Sequence, residues 1–426
     1  MMQLSATLIA LGYSSGPEAT PEVTTVATSN MHAYADGFSF PWMGGTRTVF
    51  SGVAASGSNL ALVASNQAGH LHTIATTSTT TVTTKGARTF EQLSDVSASA
   101  TSTAYVGVTK ASVGIYVAQG ADVTTAVVET GTASGFSSVS NPTLDMTGKH
   151  LAFQGTLHGK AGIFAAAAGG EVTTLVETSQ PVPGGGGATL QCLDNPAVGA
   201  DGTVAFFGSS CNGAPLMAGK TRMRRTVRAS QHALHDSASN LHAGIFLASM
   251  GGDAASTLRV AADLRTAVPG GEKGETFTAF SDPVAGDATV AFVASTSAGR
   301  LGVYVFELAS ATLRLVANTA TAVPGEGAGA FGDFPYPPAV SGNTTVFYGA
   351  AGGAQSGIYA HRRTARGDEL AAVITQADSL NGGEPISFLG SAARATDGSS
   401  VAFYGVTSSA DGVYSAKLPF KGRAPL

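Results

Sequence analysis

The stretch "LAFQGTLHGKAGIF" (Leu151 to Phe164) reads as two short strands about a tight turn, because apolar residues alternate with small or polar ones on either side of a Gly-containing centre. The phrase returns as "VAFVASTSAGRLGVY" (Val290 to Tyr304), "VFYGAAGGAQSGIY" (Val346 to Tyr359) and "VAFYGVTSSADGVY" (Val401 to Tyr414). Looser copies are "AYVGVTKASVGIY" (Ala104 to Tyr116), the split pair "VAFFG" (Val204 to Gly208) with "AGIF" (Ala243 to Phe246), and "TVFSGVAASGSNLALVAS" (Thr48 to Ser65), which makes seven. Their first aromatics, Phe50, Tyr105, Phe153, Phe206, Phe292, Phe347 and Phe403, stand 55, 48, 53, 86, 55 and 56 residues apart. A period of this length built from short strands predicts a radial repeat, since one four-stranded sheet buries both faces only when neighbours stack on it. The expected fold class is all-β, a seven-bladed β-propeller.

Each repeat has the same internal order. An opening phrase such as "FSSVSNP" (Phe136 to Pro142), "FTAFSDP" (Phe277 to Pro283) or "FGDFPYP" (Phe331 to Pro337) precedes the innermost strand. A turn follows, "GADG" (Gly199 to Gly202) or "ATDG" (Ala395 to Gly398), whose Asp-Gly suits positive φ. Then come the Val-Ala-Phe strand, the Gly-Ile-Tyr strand and an outer strand of the type "EVTTLVET" (Glu171 to Thr178). The last repeat, beginning near Pro385, stops after "GVYSAKL" (Gly412 to Leu418) without an outer strand. The missing phrase stands at the other end of the chain, as "EVTTVATS" (Glu22 to Ser29). Placed beside Gly412 to Leu418, it closes the ring and removes two bare edges; the alternative reading is a Thr-rich leader. The domain plan is a leader or remnant of a targeting segment over 1–21, one propeller over 22–420 with an insertion at 209–242 in the fourth blade, and a tail over 421–426.

Composition supports this plan and narrows the function. Of 426 residues, 43% are hydrophobic and 12% charged, and 55 Gly with a single Trp favour short strands and turns over long helices. A net charge of -5 creates no global field that would draw the chain to nucleic acid or an anionic membrane. The apolar run near the start is too short to span a bilayer, so no transmembrane segment is expected.

Units such as "NPTLDMTGKHLAFQGTLHGKAGIFAAAAGGEVTTLV" (Asn141 to Val176) resemble the TolB-type β-propeller repeat, in which a Pro-Asp-Gly-like turn precedes an aliphatic-Ala-Phe strand and an Ile-Tyr strand. They are also similar to repeats of uncharacterised secreted and cell-surface propeller proteins. The resemblance covers nearly the whole chain, although the usual Ser-Pro before Asp-Gly is missing. It implies the propeller fold and an extracellular, periplasmic or cell-surface location. It specifies a blade and not a reaction.

The interval of 86 residues is the one place where the period breaks. Between the second and third strands of the fourth blade lies "SSCNGAPLMAGKTRMRRTVRASQHALHDSASNLH" (Ser209 to His242), on the face that carries the links between blades. Lys220, Arg222, Arg224, Arg225 and Arg228 put five cations within nine positions, and His232 and His235 follow. Two readings stand side by side: a ligand-binding arm over the channel mouth whose Arg residues meet carboxylate, sulfate or phosphate, or a solvated insertion. With no third ligand in view, His232 and His235 are not taken as a metal site. Cys192 and Cys211 flank the hairpin at "GADG", which brings them roughly level on adjacent strands. They form a disulfide pinning the base of the insertion, or remain two thiols.

The remaining motifs are weak. "GYSSG" (Gly12 to Gly16) lacks the strand and helix of a nucleophile elbow, so Ser14 is not assigned as one. Asp95, Asn141, Asn195 and Asp282 recur at one place in the opening phrase, where they either ring the channel and hold a cation such as calcium or cap turns. No cofactor signature is present and no catalytic residue can be named. Two functions follow: a non-enzymatic scaffold, monomeric, binding a protein or anionic glycan, and a lyase acting on anionic polysaccharide, in which Arg neutralises a uronate while His or Tyr removes a proton.

Overall fold

A computed structural model of the chain describes residues 21–29, 34–36, 38–54, 59–65, 70–77, 80–119, 123–167, 171–210, 242–251, 258–325, 329–352, 355–380, 382–391 and 393–420. Seven antiparallel sheets stand round one axis, each running outward from an innermost strand in chain order. Blade three shows the plan, with strands Phe136–Leu144, His150–Leu157, Lys160–Ala167 and Val172–Glu177. Blade four repeats it with Cys192–Val198, Thr203–Ser209, Ala243–Ser249 and Arg259–Asp263.

The ring is fastened as the sequence predicts. In blade seven the outermost strand is Val23–Thr28, antiparallel to Asp411–Lys417, with Val23 opposite Ala416 and Thr28 opposite Gly412. Blade two carries a feature the repeat does not announce. A hairpin of Thr80–Thr83 and Gly86–Thr89 covers its outer edge, with Thr83 pairing parallel to Thr124. Arg88 from this hairpin donates two hydrogen bonds, at 2.7 and 2.9 Å, to Glu129 on the outer strand of the blade.

The Val-Ala-Phe phrase now has a physical reason. Alternate residues of a strand face opposite sides of the sheet, so the two large residues meet one neighbouring blade and the Ala meets the other. Val204 and Phe206 pack towards blade three, while Ala205 faces blade five. Val290 and Phe292 likewise pack towards blade four, and Ala291 faces blade six. Large side chains of each blade thus enter the shallow face of the blade before it. The result is one apolar seam at each of the seven junctions, including the junction of blades seven and one.

Each seam is stiffened by rings. Phe153 and Phe164 are direct cross-strand partners and stack at 5.6 Å between centroids, and Phe136 meets Phe164 edge-on at 4.8 Å. Tyr105 and Tyr116, Phe292 and Tyr304, Phe347 and Tyr359, and Phe403 and Tyr414 repeat the stack. The edge-on ring lies over a glycine of the second strand because it occupies the volume where a side chain would be. A methyl group at Gly349 would collide with the ring of Phe331.

Candidate functional site

The innermost strands are edges that face the channel, so they tolerate Pro and interrupted pairing. They use that freedom at one level. In blades two, three and four the ladder between the first and second strands slips, and the slip falls at Asp95, at Asn141-Pro142 and at Asn195-Pro196. Asp95, Asn141 and Asn195 there have φ of 47°, 49° and 38°, a left-handed conformation that Asn and Asp accept more readily than other side chains. Blade five breaks its innermost strand at the same level, between Phe277–Phe280 and Val284–Ala285, where Asp282 sits. These are β-bulges, which turn side chains out of the ladder.

The bulges form one wall of a cavity of about 530 Å³ on the channel axis. On that wall Asp95 accepts from the Asn141 backbone N–H at 3.3 Å, and Asn141 Nδ2 donates to Gln154 at 3.0 Å. Asn195 Nδ2 donates to Asp282. The opposite wall, from blades six, seven and one, is aromatic. Phe40 packs against Tyr336 at 5.6 Å and against Tyr404 at 5.9 Å, and Trp42, packed on the seam of blades one and two, also lines the cavity.

Arg394 lies at the deep end, near the turns that join first and second strands. It is 2% exposed and belongs to blade seven, yet its guanidinium crosses the axis and donates through Nη2 to the Val198 carbonyl of blade four. Its own carbonyl accepts from the Met43 N–H of blade one at 3.0 Å. Nη1 is buried without a hydrogen-bond partner. Burial pulls the Arg394 pKa down to about 10, with Asp145 and Asp287 acting in the opposite direction, so the group stays cationic at neutral pH. Asp145 is itself engaged, accepting from Thr147 at 2.8 Å and pairing with His150 Nδ1 at 2.9 Å.

Asp95, Asn141, Asn195 and Asp282 do reach the channel, and all four line the cavity. Hydrogen bonds tie them in pairs, and among the described residues no three His, Cys, Asp or Glu side chains converge as a metal site. The expectations for Lys220, Arg222, Arg224, Arg225, Arg228, His232 and His235 fall outside the described residues. So does Cys211, and with it the expected disulfide; Cys192 opens its strand opposite Ser209. No motif marks Phe40, Trp42 or Arg394, whereas Tyr336 belongs to the opening phrase Phe331 to Pro337. Arg394 did leave a trace, because aligned on the turn it stands where the sister repeats have Leu144 and Val198.

Among the described residues no helix is long and apolar enough to cross a membrane. Solved structures share the architecture. An oligogalacturonate lyase in complex with manganese is 12% identical with a TM-score of 0.50, over 94% of this chain and 94% of that one. The β-propeller domain of the Trilobed protease from Pyrococcus furiosus is 10% identical with a TM-score of 0.49, over 90% and 95%. TolB from Acinetobacter baumannii is 10% identical with a TM-score of 0.39, and the match covers 78% of this chain and 62% of the TolB chain. At these identities the likeness concerns the fold alone. No curated protein matches the sequence. Residues 8–343 match the family of unknown function DUF7453, and the chain belongs to that family.

Proposed function

We propose that the protein is a non-enzymatic binding propeller, secreted or periplasmic, that takes its ligand in the axial cavity. The observation that carries this reading is the two-sided cavity of about 530 Å³, within the usual range of ligand sites. One wall offers carboxylates and amides held by mutual hydrogen bonds, and the other offers ring faces. Its described lining contains no His, Cys or Lys. The cationic run Lys220 to Arg228, with His232 and His235, belongs to the same proposal as additional contacts. Its flanking strands, Thr203–Ser209 and Ala243–Ser249, leave and rejoin blade four at the link face. A thermal-shift screen of glycans, peptides and small metabolites tests the reading: hits are expected, and Trp42→Ala should abolish them while leaving the ring folded.

A second reading is kept because Tyr336 and Arg394 line the same cavity, as a lyase would need of a base and a carboxylate neutraliser. Asp95 and Asp282 on the facing wall oppose a polyanion, which favours the scaffold. Release of unsaturated products from alginate, pectin or ulvan, lost in Tyr336→Phe, would reverse that preference.

A further inference from the structure

We infer that the protein binds an uncharged sugar chain, one end of which enters the axial cavity while the rest follows a row of aromatic rings to the link face. The inference rests on the cavity being the binding site and names the class of its occupant. Phe388 is the one large apolar side chain exposed among the described residues, at 38%. It opens the innermost strand of blade seven, Phe388–Gly390, where the link from blade six arrives. Its ring meets Tyr404 at 6.1 Å, Tyr404 meets Phe40 at 5.9 Å, and Phe40 lines the cavity beside Tyr336. Phe40 is fixed on this row because it fills the space over Gly390, where a methyl group would collide with its ring. The exposed ring is thus the outer end of a row that begins in the cavity.

The polar groups of the lining select against charge on the ligand. Ser94 and Asp95 are exposed on the polar wall, and only the Oδ2 of Asp95 takes a hydrogen bond among the described residues, from the Asn141 N–H. Arg394 is a cation on the same lining. A charged ligand of either sign would therefore meet a like charge. A hydroxyl suits both, since it donates to a carboxylate and accepts from Arg or Lys. The cationic run Lys220 to Arg228 can donate to the same kind of group. A sugar carries hydroxyls at its edge and a C–H face whose weakly positive hydrogens sit on the negative face of an aromatic ring. A peptide fits less well. It would add its backbone to a free strand edge, and the innermost edges of blades two, three and four are broken by bulges at this level.

Calorimetry on the full chain with cello-, laminari- and manno-oligosaccharides tests this, with oligogalacturonate and a proline-rich peptide as counter-probes. At least one neutral series should bind, its hexasaccharide about tenfold or more tightly than its disaccharide. Phe388→Ala should remove that gain and leave disaccharide affinity and Tm unchanged, because the side chain is exposed. Asp95→Asn should weaken both lengths by about fivefold. Affinity should hold as salt rises from about 0.1 M to 1 M, where a charged ligand would lose its electrostatic contribution. Equal affinity at both lengths, or a gain that survives Phe388→Ala, would overturn the row of rings as a path. If no neutral saccharide binds, or only oligogalacturonate or the peptide does, the sugar-chain inference fails while the cavity remains a binding site. If, in addition, Trp42→Ala changes no hit in the wider screen, the cavity reading fails as well.

Discussion

The seams between blades and the cavity on the axis are built by opposite rules. In blades three, four and five the same three decisions recur: a large residue facing the preceding blade, an alanine facing the next, and a stacked pair of rings across the second and third strands. On the axis the corresponding positions diverge, with Asp95, Asn141, Asn195 and Asp282 on one side and Phe40, Trp42 and Tyr336 on the other. The seams need sameness because each blade must be both guest and host. The axis is released from that demand, since innermost strands need no further sheet partner, and so it can vary. Stability should therefore reside in the seams and specificity on the axis.

The largest test removes the closure. Deleting residues 22–29 strips Val23–Thr28 from Asp411–Lys417 and takes Ala27 out of the seam between blades seven and one. The expected outcome is loss of the cooperative unfolding transition and aggregation through the bared edge, read by circular dichroism and light scattering. A truncated chain that melts at the parent temperature would show that the ring does not depend on its fastening.

Next in size is a paired comparison. Phe206 is fully buried in the seam of blades three and four and stacks on Phe246 at 6.0 Å. Phe206→Ala should cost about 3–5 kcal/mol in denaturant unfolding. Phe40→Ala, on the half-buried aromatic wall, should cost less than half as much while removing ligand binding. Equal losses from the two would erase the distinction between seam and axis.

The same contrast explains what could be read in the sequence. The ring was legible because a seam writes its rule seven times, and Phe50, Tyr105, Phe153, Phe206, Phe292, Phe347 and Phe403 are all fully buried at their expected places. The closing strand was legible because Glu22 to Ser29 repeats an outer-strand phrase out of position. The polar wall was half legible: Asp95, Asn141, Asn195 and Asp282 recur, but the bulges that aim them depend on register, which no single strand reveals. The aromatic wall and Arg394 were not legible, since Phe40, Trp42, Tyr336 and Arg394 come from blades seven, six and one and meet only when the ring closes. The hairpin over blade two escaped for a related reason, being an addition to one repeat rather than part of the rule.

A smaller effect sharpens the comparison at the rim. Glu129 accepts from Arg88 and, at 2.6 Å, from the Tyr116 hydroxyl, so it joins the extra hairpin to a seam ring. The Arg88 hydrogen bond holds its pKa down at about 2. A carboxylate whose pKa is lower folded than unfolded stabilises the fold above its ordinary pKa and loses that contribution as pH falls. The contribution should be present at pH 7 and vanish between about pH 4.5 and pH 2. Because the pair is partly open to solvent, its size should be only about 1–2 kcal/mol. Urea unfolding of Glu129→Gln against the parent should show that gap at pH 7 and none at the acid end. A gap constant across this range would mean that the group acts through packing alone.

The smallest effect has the opposite sign. Aligned on the turn glycine, Arg394 falls where the sister repeats have Leu144 and Val198. The register, however, puts Thr396 opposite Val401 where Leu144 faces Leu151 and Val198 faces Val204, so Arg394 precedes the paired residues of its blade. Arg394 bears a buried charge with one unpartnered nitrogen, and among the described residues no carboxylate stands within ion-pair distance. Replacing a buried, incompletely paired charge by an apolar side chain of similar reach is often neutral or stabilising. Arg394→Leu is accordingly expected to raise stability by about 1 kcal/mol, after loss of the Nη2 bond to Val198 is offset against relief of the buried charge. A marked fall in Tm would instead make Arg394 a brace between blades seven and four, and the axis would then share in the stability that the seams otherwise supply.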